Sequence, residues 1–331
     1  MKSMLLAIGG NSLIHSREKG TISEQLVNAR RVAAQIVHLI RQGYQLVLTH
    51  GNGPQVGAEL LLSERAMGAV PGHPLDVCDA STQGEMGYLL QQALHSELKR
   101  AALHLPVVTV VTQCVVSLDD PAMNNPSKPV GRFYTHGEAE ERRRQFGWTI
   151  VMDANRGYRR VVPSPHPLEI IELESIQQLV KSGALVIACG GGGIPVAWVN
   201  GDLVGVEAVI DKDLASALLA SKLGVDLFVI GTDTDYVYLD YKTPSQQPLC
   251  QIDAMELERH AQAGQFPPGS MGPKVESVLQ FLRAGGKEAI IASVDELSVA
   301  VAGAAGTHIF PGSDFASRST AREFEFVSER R

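Results

Sequence analysis

The residues best suited to chemistry stand in Val209-Ile210-Asp211-Lys212-Asp213-Leu214-Ala215-Ser216, where a lysine lies between two aspartates just before an apolar-periodic segment. That places Lys212 at a predicted helix N-terminus, whose first N–H groups lack intrahelical partners and favour anions. An ammonium group there suits phosphate, and the carboxylates of Asp211 and Asp213 suit either orienting it or holding a metal. Asp is also a common helix cap, so the triplet read alone fits a capped helix start better than a site. A second lysine stands in Gly269-Ser270-Met271-Gly272-Pro273-Lys274-Val275-Glu276. Pro273 suits a first helical turn, from which Lys274 projects. A third, Lys128, lies in Asn125-Pro126-Ser127-Lys128-Pro129-Val130-Gly131, where flanking prolines stiffen the backbone. Taken singly, Lys128 or Lys274 is equally a solvated surface side chain.

Glycine-rich turns accompany these lysines. Gly9-Gly10-Asn11 and Gly51-Asn52-Gly53 each fall where a strand gives way to a helix, and Gly190-Gly191-Gly192-Gly193 follows a third apolar run. Such turns let backbone amides converge on a ligand oxygen. In open α/β sheets, ligands bind at this edge, outside the carboxyl ends of the strands. Neither GxxxxGK[ST] nor a GxGxxG between strand and helix is present, which disfavours a P-loop enzyme and a dinucleotide dehydrogenase. His15, His50, His136 and His166 have no metal-ligand spacing and form no nucleophile pair, so no residue is assigned to a metal. Arg156, Arg159 and Arg160 read as salt-bridge partners within their own segment.

The elements that must position these groups alternate. Strands are predicted over residues 4–8, 45–49, 106–112, 184–189, 227–230 and 288–292, and helices over 26–40, 83–98, 273–283 and 296–302, the last capped by Asp295. This rhythm predicts a mainly parallel sheet covered by helices on both faces. Between about residues 117 and 167 it breaks into an irregular insertion with one charged helix at 138–145, better read as a lid or subdomain than as linker. Residues 312–331 are polar and without apolar periodicity.

Composition limits the partners. The 331 residues, 44% hydrophobic and 20% charged, are those of a soluble globular chain. A net charge of −7 argues against broad binding to nucleic acid or anionic membrane. No apolar run approaches the ~20 residues of a membrane span. Cys78, Cys114, Cys189 and Cys250 are scattered without CxxC spacing and read as reduced, mostly buried thiols of a cytoplasmic protein.

Together the motifs resemble those of the carbamate kinase family, in the amino-acid kinase superfamily, over about residues 4–309. The resemblance is carried by Ala7-Ile8-Gly9-Gly10-Asn11, Thr49-His50-Gly51-Asn52-Gly53-Pro54-Gln55-Val56-Gly57, the Lys128 segment, and Arg159-Arg160-Val161-Val162-Pro163-Ser164-Pro165. It is also carried by Gly190-Gly191-Gly192-Gly193-Ile194-Pro195-Val196, Gly205-Val206-Glu207-Ala208-Val209-Ile210-Asp211-Lys212-Asp213, and residues 269–276. It implies an α/β fold, a three-layer αβα sandwich with a mainly parallel central sheet and a protruding subdomain. Residues 1–220 would form a carbamate or carbamoyl phosphate lobe with its lid at about 118–166. Residues 221–311 would form a nucleotide-binding lobe, and 312–331 a polar tail.

The implied activity is reversible phosphoryl transfer between ATP and carbamate by an ATP-dependent phosphotransferase with a carboxyl-type acceptor, using ATP or ADP and Mg2+. Many superfamily kinases carry a lysine two residues before the first glycine pair; this chain has Ala7, and the resemblance hands that cation's task to Lys212. It likewise implies that Lys274 holds nucleotide phosphates, Asp213 orients the lysines, and Lys128 reaches the substrate. Gly9, Gly10, Asn11, Gly51, Asn52 and Gly53 would line the acceptor site. Asp211, Thr232, Asp233, Tyr238 and Met271 would serve the nucleotide. A homodimer is the implied assembly. Met123, Ser127, Asn155, Tyr158, Thr232-Asp233-Thr234-Asp235 and Lys242 depart from the family pattern, leaving open a related kinase for another small carboxylate or a non-catalytic ligand-binding regulator.

Overall fold

The computed structural model describes residues 2–15, 18–153 and 156–312; the tail from residue 313, and Asn155 among the departures above, lie outside them. An eight-stranded sheet runs through the molecule. Its order is Gln251–Asp253, Thr307–Phe310, Glu288–Ser293, Leu227–Thr232, Lys2–Ile8, Tyr44–His50, Leu185–Ile187 and Val107–Thr109. Every neighbouring pair is parallel except Glu288–Ser293 with Thr307–Phe310, so the last two strands at one side run backwards.

Residue alternation builds the layers. Leu5, Ala7, Val47, Val186, Phe228, Ile230 and Ile291 point to one face and pack with the helices Lys212–Leu223 and Met271–Arg283. Met4, Leu6, Ile8, Leu46, Leu48, Leu227, Val229 and Ile290 point to the other and pack with Ile22–Arg41 and Leu75–Arg100. Period-two alternation on strands buried on both faces yields the three-layer αβα arrangement. Among the described residues no helix is long and apolar enough to cross a membrane.

Several elements differ from the sequence reading. The 106–112 strand is shortened to Val107–Thr109, which ends the main sheet, and a further strand, Gln113–Val116, joins a separate four-stranded sheet with Ile194–Val199, Asp202–Gly205 and Pro167–Ile170. The insertion is not irregular. It holds a three-stranded antiparallel sheet, Lys128–Tyr134, Tyr158–Val162 and Ile150–Met152, with the helix His136–Phe146. The helix expected after the Gly51-Asn52-Gly53 turn spans Gly53–Ala66, an extent the sequence did not reveal because only Gln55, Val56 and Leu60 of its residues are buried, too few for a periodic stripe. The helix predicted at 83–98 begins at Leu75, and its first turns were missed because they bury polar Asp79 and Thr82 alongside Leu75 and Cys78, which breaks the apolar stripe. At the end of the sheet the side chain of Ser293, not Asp295, caps a 3-10 turn, Val294–Glu296, that precedes the short helix Leu297–Val301.

The Leu75–Arg100 helix is held unusually close to the edge of the sheet at Gly87. A Cβ there would lie 2.3 Å from Thr109 Cγ2, 2.7 Å from its Oγ1 and 3.0 Å from its Cβ, so rotating Thr109 gives no relief. Alanine in place of an exposed helix glycine normally stabilises by up to about 1 kcal/mol. Here Gly87→Ala should instead destabilise by about 1–3 kcal/mol, the usual range for overpacking. Urea denaturation decides, and a variant more stable than the parent would contradict the close approach.

Candidate active site

The parallel register sets the site. Ile8 pairs with His50 across adjacent strands, so the chain leaves the sheet at Gly9 and at Gly51 side by side. Gly51 N–H donates to Ile8 O at 3.0 Å, and a Cβ on Gly51 would stand 2.9 Å from Gly10 N. The two turns therefore touch backbone to backbone, which only glycine permits. Gly9 precedes the 3-10 turn Gly10–Ser12, which holds the backbone of Asn11; Gly53 opens the helix Gly53–Ala66. Both turns lie at the carboxyl edge of the sheet, joined there by Gly190–Gly192 beyond Leu185–Ile187 and by the end of Leu227–Thr232.

Against this backbone floor lie the lysines. The Lys212 side chain crosses Gly51, its Cδ within 3.3 Å of where a Cβ would be. Its ammonium pairs with Asp213 Oδ1, and Lys274 Nζ reaches the other oxygen, Asp213 Oδ2, at 2.9 Å. Asp211 is also used twice: Oδ1 caps the Lys212–Leu223 helix by accepting from Asp213 N at 2.9 Å, and Oδ2 accepts from Lys128 Nζ at 2.6 Å. Three ammonium groups thus meet two carboxylates, leaving one positive charge in excess. The Asp213 side chain is only 4% exposed and those of Lys212 and Lys274 12% and 17%, whereas Lys128 is 37% exposed at the rim.

Burial and charge compete here. Burial would raise the Asp213 carboxyl, but Lys212 and Lys274 outweigh it and hold the group down at about 2. Burial, with Lys274 adding to it, pulls Lys212 below the ordinary lysine range although Asp213 opposes them. Lys274 feels the same burial, yet Asp213 first, then Asp211 and Asp233, leave it raised. Asp233 is thereby felt at the lysine cluster from the end of the Leu227–Thr232 strand.

A polar layer that the sequence reading missed supports the Gly51-Asn52-Gly53 turn. Asn52 Nδ2 donates to Asp79 Oδ1 and, at 2.8 Å, to Thr82 Oγ1. Gln83 donates to Thr112 O at 3.1 Å and Gly190 O at 2.8 Å, and accepts from Thr112 N at 2.7 Å, tying the third glycine turn to the helix. His50 lies beneath Gly190, and burial, with the Lys212 charge, pushes its imidazole down to about 4. The only sequence signals for this layer were polar residues at helical spacing (79, 82 and 83) and a histidine at a strand end.

The other candidates divide. Met271 starts the Lys274 helix and packs against the main core. Thr232 donates to Asp233 Oδ1 at 3.2 Å. Tyr238 belongs to a separate two-stranded ribbon; its hydroxyl donates to Asp235 Oδ1 at 2.8 Å and its ring lies 5.8 Å from that of Tyr241. Arg156 and Arg159 pair with Asp153 as expected, but Arg160 leaves its segment and reaches Glu207 at 2.7 Å. That pair and Lys128–Asp211 tie the small sheet to the segment before the Lys212–Leu223 helix, and a 3.0 Å contact of His166 Nε2 with Glu276 Oε1 ties the chain after the small sheet to the Met271–Arg283 helix. Among the described residues no group of three or more His, Cys, Asp or Glu could hold a metal.

Comparison with known proteins places this geometry in company. The model of the amino acid kinase family matches residues 2–293. The chain is 46% identical over 312 residues to carbamate kinase from Thermococcus kodakarensis, covering 93% of this chain and 99% of that protein. It is equally similar, 46% over 312 residues, to carbamate kinase from Staphylococcus haemolyticus. Among solved structures, carbamate kinase from Giardia lamblia bound to AMP-PNP superposes with a TM-score of 0.89 at 42% identity, covering 94% of this chain and 98% of that one.

If Asp213 is the counter-charge for two lysines, Asp213→Asn leaves two buried ammonium groups unpaired. Breaking a buried pair in this way costs about 3–5 kcal/mol. Urea denaturation should show a loss of that size, and a change below about 1 kcal/mol, the level of a surface pair, would argue against the clamp.

Proposed function

The chain belongs to the amino acid kinase family and, within it, to the carbamate kinases, and from that premise we propose how its residues carry out reversible phosphoryl transfer between ATP and carbamate. The observation that carries the reading is the meeting of Lys128, Lys212 and Lys274 on the two aspartates that flank Lys212. Carbamate is already an anion, so no side chain need deprotonate it. The obstacle is repulsion between two negatively charged reactants, which cations and alignment overcome.

Lys212 serves the transferred phosphoryl group, since Ala7 is buried in the strand where many relatives' kinase superfamily carries a lysine. Lys274 holds the nucleotide phosphates, and Asp213 keeps both ammonium groups charged and aimed. Lys128 reaches the acceptor from the small sheet. The amides of Gly10, Asn11 and Gly53 face the oxygens on which charge develops, while that of Gly51 is spent on Ile8 O; such preorganised donors are worth roughly 3–4 kcal/mol each. The acceptor lies on the side built by residues 1–220 and lidded by 118–166. The nucleotide lies on the side built by 221–311, near Thr232, Asp233, Tyr238 and Met271. Mg2+ fits as an ion carried by nucleotide phosphates and water, because Asp211 and Asp213 are already engaged by lysines. It would neutralise phosphate charge. A cytoplasmic homodimer is part of the same reading.

The test is a coupled assay for ATP formed from ADP and carbamoyl phosphate, with acetyl phosphate as control. Lys212→Ala and Lys274→Ala should each lower turnover ~100-fold or more, as loss of a charge-stabilising donor does elsewhere, with circular dichroism unchanged. Near-normal turnover in both variants would remove the phosphate-clamp assignment.

A further inference from the structure

The polar layer under the acceptor-side turn has an orientation, and it bears on what the turn recognises. The Thr82 hydroxyl donates to Asp79 O at 2.7 Å, one turn back in its helix, so its oxygen can only accept from Asn52. Asp79 Oδ1 accepts from the same Asn52 nitrogen. An amide nitrogen has two hydrogens, and both are committed. The carbonyl oxygen of the Asn52 side chain then has no donor among the described residues. Gly191 packs flush on this amide; a Cβ there would lie 2.4 Å from Nδ2 and 2.7 Å from Cγ. Asn52 itself sits between Gly51 and Gly53, on the turn that abuts Gly10 and the Lys212 stem.

Asp79 is a costly residue for a merely structural task. It is 2% exposed, and its Oδ2 is buried without a partner. Burial pushes the carboxyl up to about 8. A buried unsatisfied oxygen of this kind calls for an explanation beyond packing.

We propose that Asp79 and Thr82 are positioning residues that hold the Asn52 amide with its carbonyl oxygen toward the acceptor, so that Asn52 selects an acceptor bearing an N–H group. This rests on the phosphoryl-transfer reading above. Carbamate carries an amino group beside its carboxylate, whereas acetate presents a methyl in the same place. A methyl would strand the Asn52 carbonyl without a donor, and sites built to pair a substrate N–H reject analogues that lack it.

The experiment compares carbamoyl phosphate with acetyl phosphate as phosphoryl donors to ADP, in the parent, Thr82→Val, Asp79→Ala and Asp79→Asn, with ADP affinity measured by calorimetry. Thr82→Val, which is close to isosteric, and Asp79→Ala should each cut the preference for carbamoyl phosphate ~10-fold or more. The change should come through KM for carbamoyl phosphate, with ADP affinity unchanged. Asp79→Asn keeps an acceptor oxygen and should recover most of the preference. Unchanged preference in Thr82→Val and Asp79→Ala, equal losses on both acyl phosphates, or loss of ADP affinity would each overturn the proposal. A parent protein that forms no ATP from carbamoyl phosphate would instead overturn the kinase reading beneath it.

Discussion

The site depends on one buried carboxylate held between two ammonium groups. Without Asp213, Lys212 and Lys274 would sit close together in a nearly dry place, and each would lose its proton more readily. With it, the Asp213 charge favours the protonated form of both, and their side chains are fixed from opposite elements, one at the start of Lys212–Leu223 and one at the start of Met271–Arg283. The arrangement stores positive charge at low solvent exposure, where its effect on a phosphate is least screened. Asp211 extends the same logic outward: one oxygen fixes the helix start, and the other fixes the lysine of the small sheet.

Everything else serves to bring backbone close to those charges. The register of Lys2–Ile8 on Tyr44–His50 sets two glycine turns in contact, and no side chain could be inserted between them. The third turn, Gly190–Gly192, is bound from behind by Gln83 and backed by His50. Strands and helices thus carry the glycine turns, while ion pairs tie the small sheet and the chain after it to the rest: Arg160 with Glu207, Lys128 with Asp211, His166 with Glu276. The apolar contribution there is modest, chiefly Val130 and Val162 against Val56 and Leu60.

How much of this was legible depended on distance along the chain. Asp211 could be read as a helix cap and Asp213 as a partner of Lys212 because those contacts are local, spanning two residues and one residue. That Lys274 would choose Asp213, 61 residues away, and Lys128 would choose Asp211, 83 away, followed only from the resemblance or not at all. The strands of the main sheet announced themselves as apolar runs, since both their faces are covered. The small sheet did not. Its arginines stack on aromatics, Arg160 over Trp148 at 4.3 Å and Arg132 over Tyr134 at 4.4 Å, so apolar and charged residues share one face and the alternation is lost. Asp79 and Thr82 were missed for the opposite reason, because polar residues on a helix are usually the solvated ones.

The placement of the first strand has a cost during synthesis. Lys2–Ile8 is central, hydrogen-bonded on one side to Tyr44–His50 and on the other to Leu227–Thr232, whose first residue pairs with Met4. A ribosome adding about 5–20 residues per second delivers that second neighbour roughly 10–45 s after the first strand has emerged. Throughout that interval one side of a strand that is apolar from Met4 to Ile8 offers open N–H and C=O groups to any extended segment nearby. The nascent chain is therefore exposed to misassociation for most of its own translation, and expression yield should respond to chaperone supply more than the tight packing of the finished molecule would suggest.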